Sequence, residues 1–176
     1  MAITNEKIAQ LFEELGALHE MNGDSVFQIR AYQRAARTIG HLSFPLAQAV
    51  EDGADLKKIP GIGRAISDKI LELLQTGRVS TYDRLVEELP DGVMTLMNIP
   101  GIGPKTAMLI AQELGVSTTE GVEQAAQDGR IAALPRMGRK ATENILRHVQ
   151  SLRTKDQRTP IGQALPLAEE IIGRLR

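Results

Sequence analysis

The sequence predicts an all-α protein of short helices, and three observations carry that prediction. Apolar residues recur at spacings of three and four along most of the chain, as helices with one buried face require. Between these stretches lie short loops rich in Gly, Pro, Asp and Ser, which suit helix–helix connections. No run of useful length alternates apolar and polar residues as a half-buried strand would.

The first helix is expected over residues 4 to 23, with Ile8, Leu11, Phe12, Leu15 and Leu18 on one face, Thr4 as N-cap and Gly23 as stop. Asp24 or Ser25 caps a second helix that runs to about Ile39. Phe44-Pro45 opens a short third, ended by Gly53. Further helices are expected over 63–76, 81–88, 91–97, 104–114, 118–126, 138–152 and 163–176. Aromatic residues are few (Phe12, Phe27, Tyr32, Phe44, Tyr82), so the core falls to Leu, Ile, Val, Ala and Met, with VMTLMN ahead of residue 99 read as packing.

Composition narrows the function. The chain has 176 residues, 42% of them hydrophobic and 24% charged, enough for one ordinary domain or two small ones. Its net charge of −1 means that any polyanion must meet a local patch rather than a basic chain. The absence of cysteine excludes disulfides, thiolate metal sites and a cysteine nucleophile. There is no apolar leader and no stretch of the ~18 apolar residues that a membrane span needs, so a soluble cytoplasmic monomer is expected.

Internal repetition is the strongest signal. KIPGIGRAISDKI (58–70) is echoed by NIPGIGPKTAMLI (98–110), and LPRMGRKATENIL (134–146) reads as a degraded third copy with Arg136 in place of the first glycine. Pro60 and Pro100 push the preceding residue out of the α region and end a helix. Gly61 and Gly101 supply the positive φ of a tight turn, while Ile62 and Ile102 tuck into the hairpin. Gly63 and Gly103 sit where the next helix begins, without a side chain to keep a large ligand from the backbone. Free N–H groups at such a start, backed by the helix dipole, suit a phosphate, and Arg64 and Lys105 stand beside it. An ordinary helical corner would need the same glycines; the repetition, with a cation each time, favours phosphate. No strand precedes either copy and a third glycine is missing, so neither is a dinucleotide fingerprint.

These units resemble helix-hairpin-helix motifs, which grip the DNA sugar-phosphate backbone without reading sequence. AYQRAARTI (31–39) followed by LKKIPGIGRAISDKILELLQTG (56–77) is similar to the N-terminal lyase domain of family X, DNA polymerase beta-like, polymerases of bacterial type. NIPGIGPKTA with RTPIGQALPLAEEI (158–171) is similar to the following subdomain, which holds the duplex beside the primer terminus. The resemblance implies a lyase-like domain over 1–79 and a duplex-binding subdomain over 80–176, leading to a palm domain with divalent metals that this chain does not contain. It also implies paired hairpins on either side of a gap and a monovalent cation (K+ or Na+). That cation would be held by the carbonyls of Lys57, Ile59 and Ile62, and by those of Met97, Ile99 and Ile102. The partner would be gapped, nicked or 5′-phosphorylated DNA in repair, and the setting nucleoid-associated.

Lys69 aligns with the family's Schiff-base lysine, which must be neutral to attack an abasic sugar aldehyde. Asp68 and Glu72 favour its charged form, and Phe27-Gln28 and Ala65 stand where lyase-active relatives carry a histidine-lysine pair and a lysine, although Tyr32 matches. A solvated helix lysine is the favoured reading. Arg30, Arg34 and Arg37 form a stripe on the second helix with no acidic residue at i±4 and Tyr32 nearby, and are read as phosphate contacts that Lys57 and Lys58 extend. Arg136, Arg139 and Lys140 make a second basic cluster. His19, His41 and His148 lack metal-ligand spacing; Glu13-Glu14 and Glu87-Glu88 read as solvated faces. Left open at this level are an active 5′-deoxyribose phosphate lyase using Lys69, a standalone tandem hairpin protein that binds DNA junctions, and a helical scaffold that binds no DNA.

Overall fold

The chain is described by a computed structural model covering residues 3 to 156. Among these residues there are nine α-helices and no strand, as expected: α1 (Asn5–Met21), α2 (Val26–Gly40), α3 (Leu46–Glu51), α4 (Arg64–Thr76), α5 (Ser80–Glu87), α6 (Val93–Met97), α7 (Pro104–Leu114), α8 (Thr119–Gln127) and α9 (Arg139–Asp156). A single 3₁₀ turn, Leu56–Lys58, leads into the first hairpin and went unread in the sequence. The helix expected over 163–176 lies outside the described residues.

Local chemistry sets the boundaries. Thr4 Oγ1 accepts the N–H of Lys7 at 3.3 Å, and Thr118 Oγ1 that of Gly121 at 3.1 Å. Ser25, rather than Asp24, caps α2, accepting the Gln28 N–H at 3.3 Å. The Asp24 carboxylate is committed elsewhere, 2.6 Å from His19 Nδ1 and 3.2 Å from Asn22 Nδ2. Pro45 has no side chain able to cap α3, and Asn5 does this from a distance. Its amide donates to the Phe44 carbonyl and accepts from the Leu46 N–H, both at 2.8 Å.

The described chain divides into two compact units, one ending at Pro90 and one beginning at Asp91. In the first, the α1 residues Ile8, Phe12, Leu15 and Leu18 bury against Ile29, Tyr32, Ala35, Ala36 and Ile39 of α2. The helices come close at Gly16, where an added Cβ would lie 3.4 Å from Gln33 Cγ and 3.5 Å from Tyr32 Cβ. In the second unit Val93, Leu96, Ile99, Ala107, Ile110, Val122, Ile131, Ile145 and Val149 form the core. Met94 and Met97 are only half-buried, so the packing role expected of that segment falls to Val93 and Leu96.

α5 lies on the first unit's side of this division, beyond the boundary at residue 79 that the sequence suggested. Its Tyr82 Oη donates to Glu14 Oε2 of α1 at 2.8 Å. Burial, then the Glu14 hydrogen bond, push the Tyr82 hydroxyl up to about 12. An acid whose folded pKa is raised contributes stability below its unfolded value, near 10, and loses it as pH rises through the folded one. Thermal melts should therefore place the parent above Tyr82→Phe by about 1 kcal/mol at pH 8, one net hydrogen bond. That margin should disappear between pH 10 and 12. A margin constant with pH would mean that the bond carries no stability.

Candidate functional site

Three hairpins share one backbone plan. In the first, the Ile59 N–H donates to Leu56 O at 3.0 Å, Ile62 N–H to Ile59 O at 3.0 Å, and Ser67 N–H to Gly63 O at 2.9 Å. In the second, Ile99 donates to Leu96 at 3.1 Å, Ile102 to Ile99 at 3.0 Å, and Ala107 to Gly103 at 2.9 Å. The degraded copy repeats the series: Leu134 to Ile131 at 3.2 Å, Met137 to Leu134 at 3.0 Å, Thr142 to Gly138 at 3.1 Å. Gly61 and Gly101 hold φ of +88° and +92°, and Arg136 takes +64° at the matching position. The third copy is thus a formed hairpin whose arginine accepts a left-handed backbone, at a cost of about 1–2 kcal/mol.

The helices that leave the first two hairpins start bare. α4 and α7 have Gly63 and Gly103 at the N-cap in extended backbone, with no side chain capping the first turn. Nothing lies within 4 Å of a Cβ built on either glycine, so the ground before these first-turn amides is open. In contrast, α1, α2 and α8 each begin with a hydroxyl occupying that place. Arg64 and Lys105 are exposed just after the bare caps.

The first turn is also backed by α2. Thr38 Oγ1 donates to the Pro60 carbonyl at 3.2 Å. A Cβ on Gly61 would sit 3.2 Å from Cγ and Cδ of Arg34 and 3.2 Å from Thr38 Oγ1. The aliphatic stem of Arg34 therefore runs along the hairpin and brings a cation to it. Arg30, Arg34 and Arg37 are all exposed, and among the described residues none makes an ion pair. Exposed Lys58 and Lys57 lie in the turn ahead of the hairpin, Lys57 at 3.9 Å from Asp55 Oδ1. In the second unit a Cβ on Gly101 would lie 3.7 Å from His148 Nδ1 and 3.8 Å from Ile145 Cγ1, so α9 backs that hairpin with an apolar face and a histidine. Arg139 is exposed and engaged with Glu143 at 3.1 Å.

Tyr32 departs from its sequence-based role. It is 5% exposed, with its ring 4.7 Å from and nearly parallel to that of His19 and 6.0 Å from Phe12. Burial raises its hydroxyl pKa. Tyr32, expected among the DNA contacts, packs between α1 and α2, while the arginines of its helix face solvent. His19 is likewise buried, and the hydrogen bond from its ring, followed by that from Asn22, holds the Asp24 carboxyl below its usual range. Gln28 Nε2 reaches the same imidazole at 3.1 Å from Nδ1. Lys69 is half-exposed on α4. Glu72, one turn on, accepts the Ser80 N–H at 2.8 Å, which with the nearby Lys69 charge lowers its pKa.

No group of three or more His, Asp or Glu among the described residues is placed to hold a metal ion. The hairpin carbonyls present a different donor set. Lys57, Ile62, Met97 and Ile102 offer backbone oxygens that no turn or loop N–H takes up, while Ile59 and Ile99 each accept a single turn bond. Neutral oxygens of this type suit a hard monovalent cation.

The fold is built on helix-hairpin-helix units, and comparison with known proteins agrees. Residues 3–79 match the helix-hairpin-helix domain family, and residues 93–151 match the SAM-like helix-hairpin-helix tandem family. DNA polymerase/3′-5′ exonuclease PolX of Bacillus subtilis (strain 168) is 30% identical over 164 residues, 93% of this chain and 28% of that protein. DNA polymerase lambda of Rattus norvegicus is 28% identical over 106 residues, 60% of this chain and 17% of that protein. The chain belongs to the N-terminal region of the family X DNA polymerases, and it spans less than a third of the length of either relative.

Proposed function

We propose that this chain is a sequence-independent DNA-holding module that positions gapped or nicked DNA for family X polymerase chemistry in base-excision or gap-filling repair. The observation that supports it best is the shared hairpin geometry with bare glycine caps before α4 and α7. Each hairpin offers amide N–H groups and a helix dipole to a backbone phosphate, and neither reads a base. Beside the first hairpin, Arg34 with Arg30, Arg37 and Arg64 adds full charges suited to a 5′-phosphate. A K+ or Na+ ion on the carbonyls of Lys57, Ile59 and Ile62, or of Met97, Ile99 and Ile102, would add positive charge to the same phosphate. Lys69, half-exposed on α4 beside the Glu72 carboxylate, acts as a solvated cation and not as a Schiff-base nucleophile.

Gly63→Asp and Gly103→Asp test this reading. Aspartate is a good N-cap and both positions are extended and open, so stability should hold or rise by a few tenths of a kcal/mol. The carboxylate would occupy the phosphate position and repel it, so fluorescence anisotropy on a 5′-phosphorylated gapped duplex should show roughly tenfold weaker binding per substitution. Borohydride treatment of the same mixtures with a 5′ abasic sugar phosphate should trap no adduct. Unchanged affinity in both variants would exclude the hairpins as the grip.

A further inference from the structure

The start of α1 and the segment that leads into α3 leave an open groove of about 720 Å³ between them. It continues into a recess of about 350 Å³ that reaches the end of α4, and Ile3, Ala47 and Glu51 border both. No residue of the first hairpin and none of the α2 arginines lines either one. Clefts of several hundred Å³ with apolar walls are the usual form of a binding seat.

The walls here are apolar and held in place. Leu42, Phe44 and Pro45 line the wider part, Val50 and Leu74 the narrower. Phe44 is 43% exposed, whereas Leu46 beside it is fully buried. The Asn5 amide holds the backbone on both sides of Pro45, so the aromatic ring stands on an anchored chain. A partner covers such a surface without first having to order it.

Charge decides what that partner is. Glu6 and Glu51 are the charged residues of the lining; both are exposed, and neither is ion-paired among the described residues. No lysine or arginine borders the groove, so it repels the phosphates that the hairpins attract. A second copy of the chain, meeting this face symmetrically, would bring the same acidic rim against itself. A peptide that lays apolar side chains in the groove and carries lysine or arginine on either side matches both the walls and the rim.

We propose that this groove is the docking seat for a segment of a partner protein with that chemistry: large apolar residues flanked by Lys or Arg. The inference goes beyond the DNA-holding reading and does not rest on it. The seat shares no residue with the hairpins, so the partner and DNA are held together.

The test selects peptides from a random phage-displayed library on the full chain, then synthesises those recovered and measures them by fluorescence anisotropy. They should share two large apolar residues flanked by lysine or arginine. Their affinity should fall roughly tenfold on Phe44→Ser, which removes an aromatic anchor. Glu51→Lys should cost a similar factor, shrinking as salt rises. Glu51 closes the last turn of α3, where a cation suits the helix dipole, so this second variant keeps its fold. Both variants should hold a 5′-phosphorylated gapped duplex at least as well as the parent, and peptide and duplex should bind the parent together.

A library that yields no consensus, an acidic consensus, or peptides indifferent to both substitutions would overturn the docking role. So would displacement of the peptide by the duplex, which would join the groove to the DNA grip. If peptide-free protein sediments as a dimer that Phe44→Ser dissociates, the occupant is a second copy and the proposal also fails. Peptide binding by a parent that holds no duplex would uphold the seat and strike the DNA-holding reading alone.

Discussion

Gly92→Ala should unfold the second unit while leaving the first intact. Gly92 holds φ of +76° and precedes α6 directly. A Cβ there would lie 2.1 Å from the Ser117 carbonyl oxygen, 2.5 Å from Ser117 Cβ and 2.7 Å from its carbonyl carbon. Two of these atoms are backbone, so no rotamer change relieves the clash. The left-handed conformation costs alanine about 1–2 kcal/mol, and forcing the loop away from α6 adds about 1–3 kcal/mol of overpacking strain. A total of roughly 2–5 kcal/mol would consume much of the stability of a small unit. Gly115→Ala separates the two causes: its φ of +62° carries a similar conformational cost, but nothing lies within 4 Å of its Cβ. Urea melts should show a small shift for Gly115→Ala. For Gly92→Ala the second-unit transition should be lost and the first-unit transition unmoved. Equal shifts for the two variants would mean that the loop around Ser117 yields freely.

Gly92 also shows where sequence reading reaches its limit. The sequence places Asp91-Gly92 in the first turn of a helix over 91–97, whereas the helix begins at Val93, and the partner that forbids a side chain on Gly92 stands on a loop far along the chain. Periodicity and capping are local, which is why helix ends such as Thr4, Gly77 and Gly115 could be read within a residue or two. The hairpin glycines were legible because each obeys a local demand, a positive φ at Gly61 and Gly101 and a bare N-cap at Gly63 and Gly103.

The third hairpin was half-legible. Its residues suggested a worn copy, but only the backbone shows that Arg136 follows the glycine path. The meeting of α2 with the first hairpin was not legible, since Arg34 and Thr38 reach Gly61 and Pro60 through tertiary packing. A weak hint existed in their i, i+4 spacing. The burial of Tyr32 was not legible for a related reason. Arg30 and Arg34 stand two residues to either side of it, but helical geometry turns it toward α1 while they face solvent.

Replacing Arg30, Arg34 and Arg37 together with alanine should remove most of the first unit's affinity for gapped DNA. Each arginine that neutralises one phosphate contributes about 0.9 to the slope of log affinity against log salt, so the triple variant should flatten that slope by about 2.7. At 0.1 M salt this corresponds to a loss of two to three orders of magnitude, shrinking toward none near 1 M. The arginines are exposed and unpaired among the described residues, so no ion pair is broken, and alanine is a better helix former. Only the packing of the Arg34 stem on the turn is lost, so the variant should melt within about 1 kcal/mol of the parent. Arg34→Ala alone probes the hairpin contact, because its stem lines Gly61: it should cost more than Arg30→Ala or Arg37→Ala by loosening the turn as well as removing charge. A third outcome is informative against the whole assignment. If the slope stays at its parental value while affinity falls, the arginines hold the fold of a binding surface that lies elsewhere, and the hairpin of the first unit must find its phosphate without them.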